Sequence, residues 1–224
     1  MSEKTGMKQN KYFVLGITGG IGSGKSLALS YLENKYDCFV IKADDIGNEV
    51  KLKGNTCYKD IIKLLGKEIV GEDGEIDKNL MAEKIFADSE LVEKVNDIIH
   101  PAVRKEIEYR IKVNSKDHKI FVIEAALLCE ADYFSLLNEL WEINASKETR
   151  IERLMSSRGY SLEKCESIIG MQHCSEFYEN ANNEYLKKTK RKDYYGLKII
   201  INDSTPEDLY EQIDKAMEEI NGRF

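Results

Sequence analysis

The run Gly19-Gly20-Ile21-Gly22-Ser23-Gly24-Lys25-Ser26 constrains this chain more than any other stretch. It satisfies the pattern G-x-x-x-x-G-K-[ST] at every fixed position. Ahead of it, Tyr12-Phe13-Val14-Leu15-Gly16-Ile17 is an apolar, β-favouring run that reads as a buried strand. Behind it, Leu27 to Glu33 reads as a helix with Leu29 and Leu32 on one face and Ala28 beside them. Glycines let such a loop turn tightly and aim its N–H groups inward, with no Cβ between backbone and ligand. The helix start adds a partial positive charge, so a di- or triphosphate is favoured there. In that setting Lys25 reaches the β- and γ-phosphates and the Ser26 hydroxyl holds Mg²⁺. A glycine turn that binds nothing would leave the flanking strand and helix unexplained.

The rest of the chain reads as an α/β core around this loop. Further apolar strands are expected at 38–43, 119–124, 140–144 and 197–202. Residues 46–112 hold no comparable strand and show helical spacing instead. Helices are expected from Lys147 to Ser157 and from Ser161 to Met171, followed by a polar stretch to Gly196 with a basic cluster at 187–192. Thr205-Pro206-Glu207-Asp208 reads as a cap, a first-position proline and first-turn acids, opening a last helix that buries Leu209, Ile213, Ala216 and Ile220. Short strands separated by helices point to a parallel sheet of about five strands with helices on both faces. The expected division is a tail at 1–10 and one domain at 11–224. Within that domain the core is 11–50, 117–160 and 196–224, with a helical insertion at 51–116 and a mobile lid at 161–195.

Composition narrows the partners. Net charge is −7, which argues against a broad nucleic-acid surface. No apolar run approaches the ~20 residues of a membrane span. Five cysteines without a C-x-x-C pair suit reduced thiols, hence a cytoplasmic protein. A monomer or weak homo-oligomer is expected.

Asn34-Lys35-Tyr36-Asp37 spells the N-K-x-D guanine motif, but it ends the helix leaving the loop, whereas a guanine-reading loop follows a later strand. Phe121-Val122-Ile123-Glu124 is a partial version of the apolar run and acid of motor-type ATPases, and leaves that class open. Chain size and the late polar, basic segment fit a small kinase better.

The chain also resembles the dephospho-coenzyme A kinases, from about residue 13 to 215. The shared features are Gly16 to Ser26, Ala43-Asp44 after strand two, and Asn96-Asp97-Ile98-Ile99-His100-Pro101-Ala102-Val103-Arg104. Glu124 to Glu130, Arg153 to Arg158, Gln172 and Ile201-Asn202 complete the series. Lys42, Asn48, Ala126 and Leu27 stand where that family commonly has an acid, an arginine, a proline and a threonine. The resemblance implies a phosphate-loop kinase that phosphorylates the ribose 3′-hydroxyl of dephospho-coenzyme A with ATP and Mg²⁺. It also implies a nucleotide-binding set of Gly20, Ile21, Gly22, Ser23, Gly24, Lys25, Ser26, Leu27 and Asn202, with Asn202 helping to seat adenine. Related nucleotide kinases, or a nucleotide-binding relative without transfer chemistry, are the alternatives.

Asp44 is the expected general base, with a helix N-cap as its structural alternative and Asp45 as the better cap. Glu124 is expected at Mg²⁺, since an unpaired carboxylate closing a buried strand is costly. Arg158, at a helix end, is placed to neutralise the transferring phosphoryl group. Arg153 is expected to pair with surface acids. His100 and Arg104 are acceptor-site candidates through the resemblance, while His100-Pro101 by itself reads as a helix end. The 187–192 cluster is a solvated loop face or a phosphate clamp.

Overall fold

The computed structural model describes residues 12–86, 88–125, 128 and 133–223. The expected tail at 1–10 and Ala126, Leu127, Cys129 and Glu130 of the Glu124–Glu130 motif lie outside these residues. Five strands form one sheet: β1 (Phe13–Thr18), β2 (Phe39–Lys42), β3 (Ile120–Glu124), β4 (Glu139–Asn144) and β5 (Leu197–Ile201), in the order β2-β3-β1-β4-β5. The β1–β3, β1–β4 and β4–β5 pairings are parallel. All six residues of β1 are buried. A strand in the middle of such a sheet is covered on both faces, which is why it reads as an unbroken apolar run.

Nine α-helices accompany the sheet among the described residues. They are α1 (Lys25–Tyr36), α2 (Ala43–Glu49), α3 (Tyr58–Leu65), α4 (Lys78–Phe86), α5 (Ser89–Asn114), α6 (Lys147–Arg158), α7 (Leu162–Gly170), α8 (Ser175–Lys188) and α9 (Pro206–Asn221). The chain divides into two compact units. One joins the residues before 41 to those after 113; the other spans 41–113. The second unit therefore begins within β2, ahead of the 51–116 insertion expected from the sequence.

In the first unit, odd-numbered residues Leu15 and Ile17 of β1 and Trp141 and Ile143 of β4 share one face of the sheet. Ala28, Leu29 and Leu32 of α1 and Leu209, Ile213, Ala216, Met217 and Ile220 of α9 pack against it. Trp141 is fully buried, its indole N–H donating to Glu139 at 2.7 Å. The opposite face meets α8. The 161–195 segment expected as a lid forms α7 and α8 within this same compact unit. Asn138 stitches three strand starts together: its side chain accepts from Val14 N–H at 2.8 Å and donates to Asp193 C=O at 2.8 Å, while its backbone carbonyl accepts from Tyr195. At the end of β5, the Gln212 carboxamide accepts from Ile201 N–H (3.1 Å) and donates to Ile201 C=O (2.7 Å). Thr205 caps α9 in a reciprocal capping box with Asp208, and Pro206 follows it.

In the second unit, Val95, Val103, Ile107 and Ile111 give α5 a buried stripe at four-residue spacing. Pro101 lies inside this helix, so the expected helix end at His100-Pro101 is corrected. The stripe continues through the proline, and packing of that face outweighs the one lost backbone hydrogen bond. A cavity of about 720 Å³ lies beside α5, lined by Cys57, Ile98, Pro101, Ala102, Lys105 and Tyr109 among others.

Because Trp141 fills the centre of the first unit's core, Trp141→Ala is expected to lower unfolding free energy by about 3–5 kcal/mol. Urea denaturation followed by far-UV circular dichroism measures this; a loss under about 1 kcal/mol would contradict the assignment of Trp141 to the core.

Candidate active site

The loop leaves β1 after Thr18 and enters α1 at Lys25, with Gly24 as the N-cap in the left-handed region at φ 98°. Added to Gly24, a Cβ would strike the Asn202 amide; on Gly20 it would strike the Arg150 guanidinium. Gly24 is required by its left-handed φ as well, whereas at Gly20 only the movable end of Arg150 stands in the way.

Those side chains answer a specific need. A loop that turns its N–H groups towards a ligand leaves its carbonyls needing donors. Here Lys25 donates to the carbonyls of Gly19 at 2.6 Å and Gly20 at 3.3 Å. Arg150 Nε donates to Ile21 C=O at 2.8 Å, Arg153 to Gly22 C=O at 3.4 Å, and Asn202 Nδ2 to Ser23 C=O at 2.7 Å. Arg153 also reaches the Asn202 side-chain oxygen at 3.4 Å. The expectation that Arg153 pairs with surface acids is thereby corrected: residues 150 and 153 are nearly one turn apart on α6, so both face the loop. Asn202, expected near adenine, spends its side chain on the loop backbone and donates its own N–H to Asn144 C=O at 2.7 Å.

At the other end of the loop, α1 has no side-chain cap and no acid in its first turn. By contrast α6, α7 and α9 are capped by Ser146, Ser161 and Thr205, and α2, α3 and α8, which also lack a side-chain cap, each carry an acid in the first turn. An uncapped helix start of this kind favours an anion. Nearby polar atoms await partners as well: Thr18 Oγ1, Ser23 Oγ and Glu142 Oε2 are buried without a hydrogen bond among the described residues. Thr18 and Glu142 are register partners on adjacent strands.

Glu142 is the least expected carboxylate in the fold. It is buried on β4, where Ser175 donates to its Oε1 at 2.7 Å and Asn144 donates to Ser175 at 2.8 Å. Burial pushes its pKa above the usual carboxylate range, against the opposing pull of Ser175 and Arg150. The Arg150 guanidinium is itself pushed down by burial, with Tyr178 and Glu142 acting the other way.

The remaining expected residues fall as follows. Ser26 is exposed in the first turn of α1 and Leu27 packs partly on the core. Glu124 ends β3, half-buried and in register with Ile17 of β1. Arg158 is the last residue of α6, exposed just before the left-handed Gly159 cap. It lies five residues beyond Arg153 and so on a different side of the helix. In the 41–113 unit, Asp44 and Asp45 are exposed in the first turn of α2. Neither is its cap: the N-cap position is Lys42, which corrects the expected capping role for Asp45 and the capping alternative for Asp44. Asp44 acts electrostatically on Lys51, whose pKa is lowered by burial and by Lys78. His100 and half-buried Arg104 sit one turn apart on α5, with Arg104 Nε donating to Glu108 at 3.2 Å; neither lines the cavity beside α5. Arg191 of the basic cluster is held by Asp193 at 3.0 Å and by Ser135 C=O at 2.7 Å. Arg150 was not singled out from sequence; its position one turn before Arg153 on the same helix was the available signal.

A phosphate loop between a buried central strand and an uncapped helix, in a five-stranded parallel sheet, defines a phosphate-loop nucleotide kinase fold. The family model described as dephospho-CoA kinase matches residues 13–190. A dephospho-CoA kinase of Streptococcus mutans is 31% identical over 205 residues, covering 91% of this chain and 96% of the relative. One from Geobacter sulfurreducens is 32% identical over 203 residues, covering 90% and 95%. Among solved structures, the Thermus thermophilus protein TT1252 superposes with a TM-score of 0.71 at 23% identity, covering 94% of this chain and 98% of that one. A dephospho-CoA kinase from Campylobacter jejuni gives 0.60 at 22% identity with the same coverage. The chain belongs to the dephospho-CoA kinase family.

Asn202→Ala removes the donor to Ser23 C=O and is expected to raise the ATP dissociation constant about tenfold, ~1.4 kcal/mol. Titration calorimetry measures it. Unchanged affinity would mean that the loop holds its shape without this brace.

Proposed function

We propose that the protein transfers the γ-phosphoryl group of ATP to the ribose 3′-hydroxyl of dephospho-coenzyme A. The observation that carries this reading is the contrast along the loop: its carbonyls are held by side chains, while the first turn of α1 is left uncapped. Such a loop is pre-shaped for a polyphosphate, so little reorganisation accompanies binding. Family membership supplies the acceptor.

In this reading the loop N–H groups other than those of Ile21 and Ser23, with those at the start of α1, grip the β-phosphate. Lys25 turns from the Gly19 and Gly20 carbonyls to the β- and γ-phosphate oxygens. Asp44 takes the proton from the acceptor hydroxyl as its oxygen attacks the γ-phosphorus. The bond from γ-phosphorus to the bridging oxygen breaks, and ADP departs. Arg158 neutralises charge on the transferring group, and His100 and Arg104 bind the acceptor. Ser26 and Glu124 are hard oxygen donors, which suits Mg²⁺, an ion that takes few protein ligands alongside waters and phosphates. When bound with ATP, Mg²⁺ offsets charge between the β- and γ-phosphates. The working protein is a cytoplasmic monomer or weak homo-oligomer; no helix among the described residues is long and apolar enough to cross a membrane.

A coupled ADP-release assay with Mg-ATP and a panel of acceptors tests the substrate. Dephospho-coenzyme A is expected to exceed AMP, CMP, UMP, adenosine and pantetheine phosphate in kcat/KM by at least roughly tenfold. A nucleoside monophosphate in first place would make the protein a nucleotide kinase instead. For the base, Asp44→Asn is expected to lower kcat by ~10²–10⁴ with ATP affinity little changed. A loss below tenfold would leave Asp44 as a first-turn acid that serves only the α2 dipole.

A further inference from the structure

Ile21 sits mid-loop, and both its backbone polar groups are taken by side chains distant in sequence. Arg150 Nε donates to its carbonyl at 2.8 Å. The Gln172 side-chain oxygen accepts from its N–H at 2.9 Å. The second Arg150 nitrogen donates to that same Gln172 oxygen at 2.5 Å. The three bonds close a ring around one residue.

Gln172 belongs to the short junction between α7 and α8 and is exposed, so burial does not explain its contact. The junction is tied down again three residues later, where Ser175 donates to Glu142 on β4. Arg150 links the two ties: it bonds Gln172 and lies within the electrostatic reach of Glu142. Ile21 is followed by Gly22 in the left-handed region at φ 78°. A freely hinged peptide there would leave the direction of the next N–H groups undetermined.

We propose that Arg150 and Gln172 are positioning residues, which clamp the Ile21 peptide so that the following N–H groups face the nucleotide phosphates and thereby tie the loop's shape to the α7–α8 junction. This rests on reading the loop as the ATP site. The grip concerns the β-phosphate, which is bound alike before and during transfer, so loss of the clamp falls on KM rather than on kcat.

The test uses Gln172→Leu, similar in size but without an acceptor, together with Arg150→Lys, the double variant, and Lys25→Ala as the control on the loop. In Gln172→Leu without nucleotide, amide exchange at Ile21 is expected to accelerate at least tenfold by NMR. KM for ATP is expected to rise about tenfold, with kcat within threefold of wild type and the melting temperature within about 2 °C. The double variant is expected to be no worse than the worse single, because one ring is broken either way. Unchanged Ile21 exchange, a KM within twofold of wild type, or additive losses in the double variant would each overturn the clamp. A KM rise that comes with a fall of more than 5 °C in melting temperature would overturn it too, making Gln172 a brace for the fold. If Lys25→Ala retains full turnover, it is the reading of the loop that fails; if Lys25→Ala is inactive while Gln172→Leu behaves as wild type, the clamp alone fails.

Discussion

A loop that turns part of its backbone N–H groups towards a ligand must satisfy its carbonyls by other means, and the architecture around the loop follows from that requirement. From Gly19 to Ser23 each carbonyl has a side-chain donor: Lys25 for the first two, then Arg150, Arg153 and Asn202. The donors come from three places in the chain: the loop itself, α6, and the end of β5. Two of the three, α6 and the end of β5, are held by packing of their own. Asn202 follows β5, whose Ile200 is buried in the main core, and α6 is anchored by buried Leu154 and the Ser146 cap. Rigid elements thus hold the loop in shape, which a flexible glycine run could not do alone.

The two faces of the sheet differ most at the strand ends next to the loop. Under α1 and α9 the face is apolar and close-packed, and it fixes the strand ends from which the loop and Asn202 depart. Under α8 the same strands present Thr18, Glu142 and Asn144. Polar groups of this kind are costly to bury unless they are joined in a network. Here the network runs from the sheet through Ser175 to the junction that also carries Gln172. Val14, Phe121, Ile123 and Leu140 make the rest of this second face apolar and buried, so its polar contacts to the loop gather at the strand ends.

How far this could be read from sequence depended on which force governs each element. The loop was legible because its chemistry fixes residue types at fixed spacing. β1, β3 and β4 were legible because burial makes them apolar, β2 and β5 because they are runs of β-favouring residues although partly exposed, and α9 because its cap, proline and stripe agree. Helix α8 escaped notice: its buried residues are Tyr178 and Asn182, too few and too polar to stand out between Gln172 and Gly196. Arg150 and Arg153 were missed or misread because a donor to a backbone carbonyl leaves no trace in composition. The cap of α2 was misread because acids suit the first turn as well as the cap. Pro101 signalled a helix end locally, whereas the tertiary packing of Val103, Ile107 and Ile111 carried α5 onward.

The carboxamide that pairs with both backbone groups of Ile201 has a meaning beyond its own two bonds. β5 lies at the rim of the sheet and turns Ile199 and Ile201 partly towards water, a combination that invites another chain to add on. Gln212 mimics the neighbour that β5 lacks, occupying the donor and acceptor with which an incoming strand would begin to zip. An intruding chain must evict it to pair with Ile201. A single glutamine on α9 therefore serves as a stopper at the last residue of the rim strand.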